Sequence, residues 1–348
     1  MEKTNIRAYT LQELANVLVQ HGEKAFRAKQ IWQWLWQKGI TRFEDMTNLS
    51  KDFREFLDTH FILQTATLTH KQESSDGTTK LGFTLSDGNL IETVLIPGKD
   101  KSTVCVSSQV GCKLKCSFCA TGGLGFTRNL LPEEIFDQVV AVKRLGEERG
   151  LPLSNIVLMG MGEPLDNLDS LLPALEVLTS AWGFGWSPTR ITVSTAGVAS
   201  RLERFLEATQ VHLAVSLHNP FPHERAEIMP VEKAWPIREV VEILRRYDFT
   251  HQRRVSFEYI VMSGLNDSPR HIRELCRLLD GIKCRINLIR FHKIPGSPYF
   301  SPDDRAMIAF RDALTAKGIH TTIRTSRGED IQAACGLLST AQNEAAQF

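Results

Sequence analysis

Gly111-Cys112-Lys113-Leu114-Lys115-Cys116-Ser117-Phe118-Cys119 places three thiols within eight positions, separated by three and then two residues. That spacing can gather three thiolates in one short loop. A [4Fe-4S] cluster ordinarily takes four cysteine thiolates. Three leave one iron without a protein ligand, so a small molecule can bind there and receive an electron from the reduced cluster. The alternatives are a structural zinc site and plain buried thiols. Zinc wants four ligands, usually as two pairs, and no second Cys pair exists; a Cys3His site would need a lone distant His. Seven cysteines in 348 residues rarely crowd three together by chance.

Working upstream, residues 103–106 read as a strand running into this loop. Leu81, Phe83 and Leu85 alternate with small or polar residues, Ser86-Asp87-Gly88-Asn89 is a turn, and residues 90–96 return as the second arm of a hairpin. Glu92 shares a face with Leu90, Val94 and Ile96. A carboxylate on an apolar face has a raised pKa and suits a general base. Read by itself, however, Glu92 is expected to be an edge-strand charge facing water. Residues 1–62 form a small helical unit. Thr10-Leu11-Gln12-Glu13 is a capping-box pattern, followed by Leu11, Leu14 and Leu18 at helical spacing. A second helix carries Ile31, Leu35 and Trp36, and a third begins at Ser50. Trp32, Trp34 and Trp36 offer base-stacking platforms, but core filling is the preferred reading.

Working downstream, strand and helix patterns alternate from residue 130. Pro132-Glu133-Glu134 opens a helix, and about six βα units follow the cysteine loop. Such alternation predicts parallel strands with right-handed crossovers, closed or partly closed as a barrel; an open doubly wound sheet is the competing arrangement. A helix is expected from Ser301-Pro302. Chemistry in βα barrels sits at the carboxyl ends of strands. There the chain has Gly160-Met161-Gly162-Glu163-Pro164, Ser194-Thr195-Ala196-Gly197, Ser216-Leu217-His218-Asn219, and Asn287. The glycines allow close backbone approach, and Glu163 could hold an ammonium group. Cys276 and Cys284 read as structural. Cys335 lies in a glycine-flanked loop after the last strand that can reach the barrel mouth. Paired closely with Cys105, it could do nucleophilic and disulfide chemistry.

Composition sets the outer bounds. With 42% hydrophobic and 23% charged residues the chain is ordinary for a globular protein, and no apolar run approaches membrane-spanning length. Met1-Glu2-Lys3-Thr4-Asn5 has no apolar signal core, so a cytoplasmic location is expected. An odd cysteine count without framework spacing agrees with a reducing compartment. A net charge of +1 neither requires nor excludes nucleic acid, because a phosphate-binding face needs only a local basic patch.

The Cys-x3-Cys-x2-Cys run is the signature of radical S-adenosylmethionine (SAM) enzymes. From about residue 8 to 340 the chain further resembles the RlmN/Cfr family of RNA methyltransferases. The anchors are residues 105–112, the cysteine triplet, Gly160-Met161-Gly162-Glu163-Pro164-Leu165, Val193-Ser194-Thr195-Ala196-Gly197, Ser216-Leu217-His218, and Arg327-Gly328-Glu329-Asp330 through Cys335-Gly336. The resemblance implies an α/β fold: a radical-SAM partial (βα)6 barrel over 107–340, a helical RNA-contacting unit over 1–62, a linking β-hairpin region over 63–106, and a polar tail over 341–348. It implies that Cys112, Cys116 and Cys119 hold a [4Fe-4S] cluster. Gly162, Glu163, Ser194, Ser216, Leu217, His218 and Asn287 would contact SAM. Cys335 would carry a methyl group, Cys105 would resolve it, and Glu92 would accept a proton. The implied reaction methylates C2 of adenine, at adenosine-2503 of 23S rRNA and adenosine-37 of certain tRNAs, with two SAM per turnover and an S-methylcysteine intermediate. C8 methylation of the same rRNA adenosine and a non-catalytic iron–sulfur RNA-binding role are the alternatives. Implied partners are 23S rRNA, tRNA and an electron donor such as flavodoxin or ferredoxin, with no membrane and a monomeric state. One departure is visible: many members continue the Asn287 strand as Leu-Ile-Pro, an aromatic, Asn and Pro, where this chain has Leu288-Ile289-Arg290-Phe291-His292-Lys293.

Overall fold

A computed structural model describes residues 3–249 and 254–339. The expected polar tail at 341–348 lies outside the described residues. Three helices, Leu11–Gln20, Arg27–Trp36 and Lys51–His60, open the chain. The first is capped as its sequence predicts: Glu13 N donates to Thr10 Oγ1, and Thr10 N donates back to the Glu13 carboxylate at 2.8 Å. Such a cap stabilises a helix by about 1 kcal/mol. Ser50 caps the third helix through Phe53 N.

Trp34 and Trp36 are buried, and Trp32 is half-buried. Trp36 meets Phe136 edge-on with ring centroids 5.2 Å apart, and Arg7 pairs with Asp137 at 2.6 Å. The helical unit therefore shares its core with the helix Pro132–Glu148 of the α/β region.

The centre is a ten-stranded sheet whose strands lie side by side in chain order. Thr67–Glu73, Thr79–Thr84 and Leu90–Pro97 run antiparallel up to Ser102–Cys105. From there Leu153–Leu158, Ile191–Thr195, His212–Ser216, Val255–Val261, Cys284–Arg290 and His320–Ile323 all run parallel. The hairpin is thus continuous with the parallel sheet, and Ser102–Cys105 is the first parallel strand. The sheet is open: among the described residues its two edges do not pair. Each strand steps one place in the same direction, and crossovers keep one hand. The connecting helices therefore gather on one face, which leaves the other free for a site. The last of these helices is Asp304–Ala316, capped by Asp303 through Ala306 N at 2.7 Å rather than by Ser301.

A cavity joining the cysteine loop, the strand ends and the Cys335 loop

The cysteine loop leaves a short antiparallel pair, Gln109–Gly111 with Phe126–Asn129, and ends in the helix Ala120–Leu124. Gly111 turns the chain at φ +73°, and Cys112 N donates to Gly125 O at 2.7 Å. Cys119 N donates to Cys116 O, and Ser117 N to Ile228 O at 3.0 Å. Cys112, Cys116 and Cys119 all line one cavity. Burial pushes all three thiols up, Cys112 to about 12. As free thiols they would stay protonated, so a group that takes them as thiolates must bring its own positive charge, as iron does. Among the described residues no three His, Cys, Asp or Glu side chains converge as ligands of one ion. Cubane thiolates bind separate irons and need not converge, so the arrangement fits a cluster.

Gly162, Glu163, Ser194, Ser216 and His218 line the same cavity. Glu163 is buried, and its carboxylate accepts from Leu165 N at 3.0 Å and Ala196 N at 2.7 Å. Burial lifts this carboxyl to about 7 against those bonds. His218 sits at φ +55° with its ring edge-on to Phe118 at 4.8 Å. Its Nδ1 accepts from Ile260 N at 3.0 Å, and burial drops the imidazole to about 3. The ring is neutral, with its proton on Nε2. This set of one carboxylate, one neutral N–H donor, serine hydroxyls and strand-end backbone suits the amine, carboxylate and ribose of SAM.

Leu217 is fully buried between Ser216 and His218, the two of the three that line the cavity. One placement needs correction. Asn287 lies inside its strand, not at the end: its amide donates to Glu258 Oε1 at 2.8 Å and accepts from Thr322 Oγ1 at 2.8 Å. The glycines after Leu158 allow the close backbone approach their type suggests, here of the segment that carries Ser107 and Gln109. A Cβ on Gly160 would lie 2.7 Å from Ser107 Oγ, and one on Gly162 would lie 2.5 Å from Gln109 Cβ.

Glu92 overturns the water-facing reading. The strand beyond it covers the sheet edge, and its side chain is 1% exposed. Its carboxylate lies 3.2 Å from Lys80 Nζ and accepts from Ser339 N at 2.8 Å. Burial raises its pKa and Lys80 opposes the rise. Lys80 was missed, although the hairpin register contained the signal: Lys80 pairs with Val94 and Gly82 with Glu92, so Lys80 and Glu92 are diagonal neighbours on one face.

Cys335 is exposed and lines the cavity with the three loop cysteines. Cys105 is buried, its thiol pushed to about 12 by burial and then by Cys335. The segment around Cys335 is docked at both ends. Asp330 accepts from Ser74 Oγ at 2.5 Å and Ser75 N at 3.0 Å. Beyond it, Ala120 N donates to Gly336 O at 2.7 Å and Thr121 Oγ1 to Leu338 O at 2.7 Å. The departure from the family pattern has a structural use here, since His292 pairs with Glu329 just ahead of this segment. Two further cavity residues carried no sequence signal: Arg324 and Glu258, paired at 3.3 Å. Arg324 acts on both Cys105 and Cys335.

An open parallel sheet with three loop cysteines facing its strand ends defines a radical SAM enzyme. A family model described as "Radical SAM superfamily" matches residues 106–279. Another, "Ribosomal RNA large subunit methyltransferase N-terminal domain", matches residues 4–63. The chain is 50% identical to a probable dual-specificity RNA methyltransferase RlmN of Bacteroides fragilis, over 99% of this chain and 98% of that protein. It is 41% identical to the dual-specificity RNA methyltransferase RlmN of Syntrophus aciditrophicus, over 97% of each. A crystal structure of a radical SAM methyltransferase from Sphaerobacter thermophilus superposes with TM-score 0.90 at 42% identity, covering 96% of this chain and 99% of that one. The chain belongs to the RlmN family. It is a SAM-dependent methyltransferase that uses a [4Fe-4S] cluster. No helix among the described residues is long and apolar enough to cross a membrane.

Proposed function

We propose that this enzyme methylates C2 of adenine in RNA, at adenosine-2503 of 23S rRNA and adenosine-37 of tRNAs. Cys112, Cys116 and Cys119 would hold the cluster, and Gly162, Glu163, Ser194, Ser216, Leu217, His218 and Asn287 would hold SAM, Asn287 through its bond to the cavity residue Glu258. When bound, the cluster and SAM supply one-electron chemistry, which an electron-poor ring carbon needs because it is no nucleophile. The chain's own part is positional and electrostatic. The Cys335 sulfur carries the methyl-derived carbon as a thioether to the base. Glu92 takes the C2 proton; Lys80 keeps its buried carboxyl ionised enough to do so. Cys105 then attacks the Cys335 sulfur. The S–S bond forms, the C–S pair leaves with carbon, and that carbon takes up a proton to become the methyl group. Arg324, acting on both sulfurs, favours the attacking thiolate.

The observation that carries the reading is Cys335: it lines the cavity of the three loop cysteines and lies within electrostatic reach of buried Cys105. We further assign residues 1–62 to gripping folded RNA, 63–106 to the hairpin extension, which brings Glu92 and Cys105 to the site and whose last strand opens the parallel sheet, and 107–340 to the radical SAM unit. The enzyme acts as a cytoplasmic monomer supplied by a flavodoxin or ferredoxin. Nucleoside mass spectrometry on rRNA and tRNA from cells with and without the gene tests the reaction. Loss of 2-methyladenosine from both pools is expected. A change in 8-methyladenosine instead would move the reaction to C8, and no change in either nucleoside would remove the assignment.

A further inference from the structure

Arg225 has no exposed surface, yet it ends among backbone oxygens rather than in a simple ion pair. Its Nε donates to Leu217 O at 3.0 Å, and Nη2 donates to Ala196 O at 2.8 Å and Ser216 O at 2.9 Å. Nη1 pairs with Glu232, which also accepts from Ile237 N at 2.9 Å. The three carbonyls belong to the ends of two neighbouring strands, Ile191–Thr195 and His212–Ser216. Carbonyls at the carboxyl rim of a parallel sheet have no strand partner, and buried they need a donor. Only a planar fork with five N–H groups reaches all three and a carboxylate together.

The same residue sits on the short helix Pro222–Ile228, whose last carbonyl receives Ser117 N at 3.0 Å and Ser117 Oγ at 3.3 Å. Ser117 lies between two of the three loop cysteines. One turn of chain therefore touches both the strand ends carrying Ser216 and Ala196 and the loop carrying Cys116. We infer that Arg225 is a positioning residue, a brace that fixes the rim of the SAM cradle relative to the cluster loop. This rests on the cavity being the SAM and cluster site.

The test uses the anaerobically reconstituted holoenzyme. Removing Arg225 alone would strand buried Glu232, so the variants are Arg225→Lys and the double Arg225→Met/Glu232→Gln, with circular dichroism and iron content as folding controls. SAM affinity is read by calorimetry, and the change that SAM makes in the EPR signal of the reduced cluster reports whether bound SAM reaches it. Arg225→Lys keeps the charge but cannot span two strands. It should bind SAM about tenfold more weakly, the loss of roughly one well-made hydrogen bond, with iron content near wild type. The double variant should lose affinity similarly, and saturating SAM should change its EPR signal less than in wild type. A purely structural role would lower iron content and affinity together. Glu163→Gln is the reference for the site itself. Wild-type SAM affinity in folded Arg225→Lys beside a weakened Glu163→Gln overturns the brace alone. Wild-type affinity in both overturns the SAM site with it.

Discussion

Lys80 Nζ lies 3.2 Å from Glu92 Oε1, with both side chains nearly sealed from solvent. The pair joins adjacent strands of the hairpin under the C-terminal segment, whose Ser339 N binds the other carboxylate oxygen. Removing one partner of a buried pair leaves an uncompensated charge. Lys80→Met should therefore destabilise the fold by about 3 kcal/mol, read from the denaturant midpoint. Adding Glu92→Gln should restore most of it. Lys80 also opposes the upward push of burial on Glu92. In Lys80→Met the acid limb of the rate profile should move to higher pH, and an unmoved limb would separate Glu92 from proton transfer.

The two sulfurs outside the loop make a cleaner prediction. If Cys335 carries the carbon and Cys105 releases it, Cys105→Ala should trap RNA covalently on the protein, visible as a shifted band on a denaturing gel. Cys335→Ala should trap none. Free turnover by Cys105→Ala would assign release to another group.

Gly111 is where the loop has no room. A Cβ there would stand 1.9 Å from Gly125 O, the carbonyl that Cys112 N uses, on a backbone at φ +73°. Gly111→Ala should lose most cluster iron on reconstitution, while its helical circular dichroism stays near wild type. Full iron content would mean the turn can reform elsewhere.

The Cys335 segment is pinned from a distance by Asp330 on Ser74 and Ser75. Asp330→Ala should leave global stability close to wild type. It should also open residues around 330–338 to limited proteolysis and lower the rate at least severalfold, because a thioether carrier works only when held in reach. Unchanged protease resistance would shift the anchoring to the contacts at Ala120 and Thr121.

His218 supplies the pH dependence. Buried neutral at about 3, against 6.5 when free, it binds fewer protons folded than unfolded throughout that window. Its stabilisation is complete above 6.5 and is lost as pH falls toward 3. Wild type should lose up to about 1.4 kcal/mol more per pH unit across this range than His218→Gln, which has no such proton. Parallel stability curves would show the imidazole to be solvated.

What the sequence determined by itself is what short-range physics controls. The capping box at Thr10, the turn at Ser86-Asp87-Gly88-Asn89, the βα alternation and the cysteine triplet each involve groups a few residues apart, so spacing alone specifies them. Tertiary structure decided the environment of those groups. Ser75 and Asp330 meet across 255 residues, Arg225 collects carbonyls from two strand ends, and Asn287, inside its strand, bonds the cavity residue Glu258. The burial of Glu92 follows from a strand placed beyond it and a C-terminal segment laid over it. Strand order and the docking of distant segments set which charges lose water, and desolvation is the largest influence on Cys105, Cys112, Cys116, Cys119, Glu92, Glu163 and His218.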